Sequence, residues 1–264
     1  MASLTFDRYC EEIVAQTDLL RAHVEGADMT APVRTCPGWN LGQLLRHVGG
    51  DHRWADTVVR TRATDPVSDE QANDLAGYTA EDGAVLDVWL AEGASRLAAA
   101  LRAAGPDVTV WNPSDTDCRT TLFWARRMTH ETAVHRADAA LTAGAEYELD
   151  DDVALDGVAE WMEFSTVPEA YEPAPDAPGL LGPGRTLRFE ADAATRWLVD
   201  LSGARPTWQR DGDGSSVEPA VVVRGPVKEL LLFLYRRPAP HVEVSGDSDL
   251  LDLWLTRTGF WLEA

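Results

Sequence analysis

Residues 167–185, VPEAYEPAPDAPGLLGPGR, hold five prolines and three glycines. Proline removes a backbone donor and fixes φ, and glycine weakens helix and strand alike, so no long regular element runs through this stretch. It divides the chain, and the expected organisation is residues 1–166, a linker at 167–185, and residues 186–264. The first part carries apolar residues at helical spacing. LTFDRYCEEIVAQTDLLRAHVEG closes at Gly26, and LGQLLRHVGGDHRWADTVVR follows an N-cap at Asn40. AVLDVWLAEGASRLAAALRAAG comes after a polar stretch at 61–80, and TTLFWARRMTHETAVHRADAALTAG closes at Gly144. DDVALDGVAEWMEF is expected as a fifth helix, with acids in its first turn. The second part changes character. RTLRFEAD, RWLVDLSG, PAVVVRG and HVEVSG read as strands, Pro226 opens the helix PVKELLLFLYRR, and DLLDLWLTRTGFWL is a terminal helix. The fold class is therefore α+β.

Charge narrows the partners. A net −21 over 264 residues argues against nucleic acid, whose phosphates need a basic surface, and disfavours anionic membranes. No apolar run approaches the roughly 20 residues of a membrane span. The start, MASLTFDRYCEEIVAQ, has acids where a signal peptide needs a basic and then an apolar stretch, so a soluble cytoplasmic protein is expected. Cys10, Cys36 and Cys118 are too few and too scattered for a disulfide framework or a four-cysteine zinc site. Lys228 is the single lysine among 23 basic residues, an arginine bias of the kind GC-rich actinobacterial genomes produce.

The segment MTHETAVHRADAA (128–140) resembles a zinc-protease HExxH with one residue too many. At about 100° per residue, His130 and His135 point roughly 140° apart and do not share a metal. Glu131 and His135 are four apart and share a face with Phe123/Trp124, Met128 and Ala139, where they interrupt an apolar stripe. The second helix, LGQLLRHVGGDHRWADTVVR, shows the same anomaly, with His47 and Asp51 in a stripe of Leu44, Trp54 and Val58. A buried carboxylate is costly unless paired or coordinated. Either these groups satisfy one another, or His47, Glu131 and His135 converge on a metal with an open position, Asp51 orienting a ligand histidine or serving as a fourth donor. His52 and His130 read as structural or surface residues. Cys36 reads as a turn residue with no evident base beside it, and Trp39 as a core anchor of the second helix. The loops 61–80 and 106–120 carry no signature.

Three stretches carry a family likeness: TCPGWNLGQLLRHVGG (35–50), FWARRMTHETAVHRADA (123–139), and VVVRGPVKELLLFLYRR with VEVSGDSDLLDLWL (221–255). The chain resembles the mycothiol-dependent maleylpyruvate isomerase-like proteins, within the wider DinB/YfiT-like metal-binding group. The resemblance implies a DinB-like up-down four-helix bundle followed by a small α+β domain similar to sterol-carrier folds. It implies a divalent metal, zinc before others, on His47, Glu131 and His135, and mycothiol, a low-molecular-weight thiol, as cosubstrate. The partners implied are that thiol and a small-molecule electrophile. A metal-activated thiolate adding to a cis alkene gives an isomerase if the thiol is later expelled and an S-transferase if it stays. A zinc-dependent hydrolase of thiol conjugates and a non-catalytic metal- or ligand-binding protein are the alternatives. A dicarboxylate substrate needs cations, and Arg237 and Arg224 are the candidates. Arg237 stands where the family helix often ends in Gly-Arg, with Arg236 here in the glycine position.

Overall fold

The computed structural model describes residues 4–114, 118–172, 178–192, 195–211 and 218–262. Residues 173–177 of the expected linker and 115–117 of the loop 106–120 lie outside the described residues. The chain divides into a first compact unit up to Leu149 and a second from Asp150 onward.

The first unit contains α1 (Phe6–His23), α2 (Leu41–Thr61), the short α3 (Glu70–Asn73), α4 (Gly83–Ala104) and α5 (Thr121–Ala143). The expected caps form. Asn40 accepts from Gln43 N and Gln43 Oε1 accepts from Asn40 N, closing a capping box, and Gly144 ends α5 at φ 70°. Helix α2 lies beside α4 in the same sense: Gly42 faces Glu81, Gly49 faces Trp89 and Gly93 faces Arg53. Segment 62–82, which carries α3, therefore returns the chain along the bundle before α4 begins. Leu20, Leu41, Leu44, Leu45, Val48, Leu86 and Leu90 form a common apolar core. Each such side chain stabilises the fold by about 1.5–3 kcal/mol when fully buried.

Helix α5 is buried over most of its circumference, so its polar residues need internal partners. Thr129 and Thr132 donate back to Ala125 O and Met128 O. His130 is fully buried edge-on against Tyr9 of α1, at 6.4 Å between ring centroids.

The second unit contains α6 (Asp151–Phe164), α7 (Pro168–Tyr171), β1 (Thr186–Glu190), β2 (Arg196–Asp200), β3 (Thr207–Asp211), β4 (Val221–Arg224), α8 (Val227–Leu234), β5 (Glu243–Gly246) and α9 (Ser248–Thr258). The sheet order is β3-β2-β1-β4-β5, with β1 and β4 parallel and the other pairs antiparallel. Leu187, Phe189, Trp197, Val199, Val221 and Val223 are buried on one sheet face, where Phe189 meets Trp254 of α9 at 5.2 Å between ring centroids.

Two expectations are corrected. The boundary expected at 166 falls before α6, because α6 packs on α8 and Trp161 stacks edge-on against Tyr235 at 4.7 Å. Strand β3, TWQRD, was not expected, because it is an edge strand whose described residues are half or fully exposed and lack apolar alternation.

Candidate metal centre

The pieces of the site all belong to the first unit. Cys36-Pro37-Gly38-Trp39 makes a tight turn in which Trp39 N donates to Cys36 O at 3.1 Å. Pro37 suits the second position of such a turn, and Gly38 supplies the φ of 92° that the third position needs. The turn leads into α2 and places its first and last side chains beside α5. The Trp39 ring lies 4.9 Å from the His47 ring and 6.3 Å from that of His135.

His47, Glu131 and His135 converge. The two imidazoles meet edge-on at 4.9 Å between centroids. Oε1 of Glu131 lies 2.8 Å from His135 Nε2 and 3.3 Å from His47 Nε2. One ligand atom from each of the three residues lies within 4.8 Å of the others.

The remaining atoms of each group are spoken for. His47 Nδ1 lies 2.9 Å from Ala72 O, and a carbonyl can only accept, so Nδ1 carries the hydrogen. His135 Nδ1 is held the same way by Asp138 Oδ2 at 2.9 Å, and the Cys36 thiol donates to the same oxygen at 3.4 Å. Arg127 donates to Glu131 Oε2 at 2.6 Å. Asp138 and Arg127 were not singled out from the sequence, although each is within one turn of a ligand on α5. Cys36 does have a partner, the Asp138 carboxylate, and Trp39 both packs on the core and flanks His47.

Asp51 is buried with Oδ2 3.5 Å from His47 Nε2, on the donor side of the ring. The Ala72 carbonyl, not Asp51, orients His47. His52 is buried against Thr132. Arg224 and Arg237 belong to the second unit. Arg224 donates from Nε and a terminal nitrogen to Glu190 Oε2, at 2.9 and 2.5 Å, across the β1–β4 pair. Arg237 donates to Tyr235 O at 2.6 Å.

The electrostatics test whether a cation fits. Burial disfavours charge on His135, yet the Glu131 and Asp138 carboxylates outweigh it and hold the imidazolium well above the usual histidine range. Burial likewise pushes Glu131 up, but His135 and Arg127 outweigh it and hold the carboxylate well below its ordinary range. For His47 burial is again outweighed, here by Asp51 and Glu131, and its pKa rises. Burial pushes Asp51 up to about 6. The cluster thus draws positive charge to the point between the two Nε2 atoms and Oε1. A proton there bonds one ring at a time, whereas a divalent cation accepts both lone pairs and the carboxylate oxygen together. Two imidazoles and a carboxylate, each fixed from behind, suit such an ion.

A helical bundle whose core holds a His-Glu-His donor set, joined to an α+β unit, defines the class. The sequence matches the mycothiol maleylpyruvate isomerase N-terminal domain over residues 10–140 and the C-terminal domain of the same enzyme family over residues 152–253. The chain belongs to the mycothiol maleylpyruvate isomerase family. Its fold is similar to that in a crystal structure of a mycothiol-dependent maleylpyruvate isomerase, with a TM-score of 0.64 at 17% identity over 93% of this chain and 96% of the other. A crystal structure of a histidine-to-alanine mutant of that isomerase matches with a TM-score of 0.63 at 17% identity over the same shares. No curated protein matches the sequence.

Proposed function

We propose that the protein is a metal- and mycothiol-dependent enzyme that adds a thiol sulfur to a small electrophilic alkene, as a cis–trans isomerase of the maleylpyruvate type or as an S-transferase. The observation that carries this reading is the convergence of two imidazole Nε2 atoms and one carboxylate oxygen whose other polar atoms are already bonded. His47, Glu131 and His135 would hold the cation, zinc by the chemistry of the donors. A divalent cation there supplies Lewis acidity that lowers the pKa of a thiol brought to it.

The protein's own residues do the rest. Ala72 O and Asp138 fix the two rings, and Arg127 keeps one oxygen of Glu131 turned away. The half-buried Trp39 indole covers one side and limits water. Asp51 Oδ2, buried 3.5 Å from His47 Nε2, is the carboxylate placed to take the thiol proton. The sulfur then forms a C–S bond to one alkene carbon, and the electron pair moves to the other carbon, stabilised by its carbonyl. Rotation about the new single bond, re-formation of the double bond and departure of the thiolate, which regains its proton from Asp51, give the trans alkene. Protonation of the carbanion instead leaves the thioether.

Elemental analysis and thiol binding test the reading. About one zinc per chain is expected, lost in His135→Ala, with mycothiol binding to the zinc-loaded protein. A metal-free wild type removes the metal centre. Zinc without thiol binding favours a hydrolase or a binding protein. Assays with maleylpyruvate and with a thiol-trapping electrophile then separate isomerase from transferase.

A further inference from the structure

Segment 62–82 is joined to α2 by a series of hydrogen bonds with a regular spacing. Asn40 Nδ2 donates to Thr79 O at 3.0 Å, Gln43 Nε2 to Leu75 O at 3.0 Å, His47 Nδ1 to Ala72 O at 2.9 Å, and Trp54 Nε1 to Val67 O at 3.0 Å. The donors are spaced by three, four and seven residues, which puts them on one stripe of the helix. The acceptors descend in sequence as the donors ascend, so the segment lies antiparallel along α2 as a strap. Every acceptor is a backbone carbonyl, and every donor is a side-chain N–H.

At its start the strap is also held by Ala63, whose N–H donates to Val58 O at 3.0 Å and whose carbonyl accepts from Trp111 N at 2.6 Å. Ala72 and Leu75 are its buried apolar side chains among the described residues. Arg46, one residue before His47, adds an ion pair to Glu81 at 2.7 Å and lies over the Tyr78 ring at 4.8 Å. The third donor in the series is His47, whose opposite nitrogen belongs to the donor set. The ring can give its Nε2 lone pair to a cation only while Nδ1 carries the hydrogen, and that hydrogen is what the strap accepts.

We propose that the strap is a positioning element for the metal centre, and that docking of 62–82 on α2 and occupancy of the His47–Glu131–His135 set are coupled. This rests on the metal reading above. Gln43 and Trp54 are positioning residues: they touch no ligand and act by holding the strap so that Ala72 O meets His47. Linkage makes the effect reciprocal, so a bound cation tightens the strap by the factor with which the strap raises affinity.

Zinc alone is the probe, measured on the full chain by competition with a chromophoric chelator, alongside hydrogen exchange of 62–82 with and without zinc. Trp54→Phe keeps a ring but removes the N–H. Gln43→Glu keeps the capping oxygen but removes the Nε2 donor. Each variant is expected to weaken zinc roughly three- to thirtyfold. Zinc is expected to slow exchange across 62–82 in the wild type and less in the variants. Leu97→Ala, a core truncation in α4, is the control: it lowers the melting temperature and leaves zinc affinity unchanged. Unchanged zinc affinity in both strap variants, or strap exchange indifferent to zinc, overturns the coupling alone. A wild type that binds no zinc overturns the donor-set reading and the coupling together.

Discussion

Arg127 donates to Oε2 of Glu131 at 2.6 Å from one turn earlier on α5, so Oε1 alone faces the two imidazoles. Both groups are largely buried, where a charge-assisted bond of this length is among the stronger kinds. Arg127→Gln keeps a donor of shorter reach and removes the charge. The carboxylate is then free to turn, and zinc affinity is expected to fall roughly tenfold in chelator competition. An unchanged dissociation constant contradicts a role for Arg127 in holding Glu131.

Asp138 is fully buried and receives both His135 Nδ1 and the Cys36 thiol on one oxygen. Asp138→Asn keeps the shape but replaces the carboxylate with a weaker acceptor. The expected loss of zinc affinity is about tenfold or more. Cys36→Ser, which keeps a donor toward Asp138, is expected to bind zinc like the wild type. Equal losses in the two variants contradict the assignment of the orienting role to Asp138.

The convergence of His47, Glu131 and His135 was legible in the sequence because polar residues broke two apolar stripes, at His47 and at Glu131 with His135. A stripe shows where a side chain sits on its helix but not what stands behind it. Asp138 and Arg127 were therefore passed over, since an acid and an arginine on a long helix look like solvated residues until the helix is known to be buried over most of its circumference. The strap was illegible for a different reason. Its contacts to α2 are made through carbonyl oxygens, which every residue has, so 61–80 read as a featureless polar stretch. Helix α6 was assigned to the wrong side because the prolines after it are a stronger local signal than its packing on α8, a long-range matter.

Gly49 of α2 faces the Trp89 ring of α4 so closely that a Cβ there falls 2.0 Å from a ring carbon. The ring cannot retreat freely, because Arg46 and Arg53 stack on it at 4.2 and 3.7 Å. Gly49→Ala is expected to cost about 2–3 kcal/mol and to lower the melting temperature. Adding Trp89→Leu makes room and is expected to recover part of the loss. A Gly49→Ala protein that melts like the wild type contradicts this packing.

Burial pushes His52 down to about 3. The Thr132 hydroxyl spends its hydrogen on Met128 O and so accepts from His52 Nε2, while Nδ1 meets no partner among the described residues. A folded pKa below the ordinary 6.5 means the unfolded chain binds the extra proton first. Stability from this group is thus full above 6.5 and lost as pH falls toward 3, at a limiting slope of about 1.4 kcal/mol per pH unit. His52→Gln does not titrate, and denaturant unfolding between pH 6 and 4 is expected to show a shallower decline. An unaltered slope removes His52 as the cause.

His47 and Glu131 are 84 residues apart in sequence and within 3.3 Å in space. A cation shared between them is also a knot in the chain: it ties the start of α2 to the middle of α5 and closes a loop spanning the strap and all of α4. Clips that close long loops remove the most freedom from an unfolded chain. If the proposed cation is bound, chelation should therefore do more than empty the site. It should lengthen the tether on which the whole bundle comes apart, so that the bare protein unfolds to a wider ensemble than the loaded one.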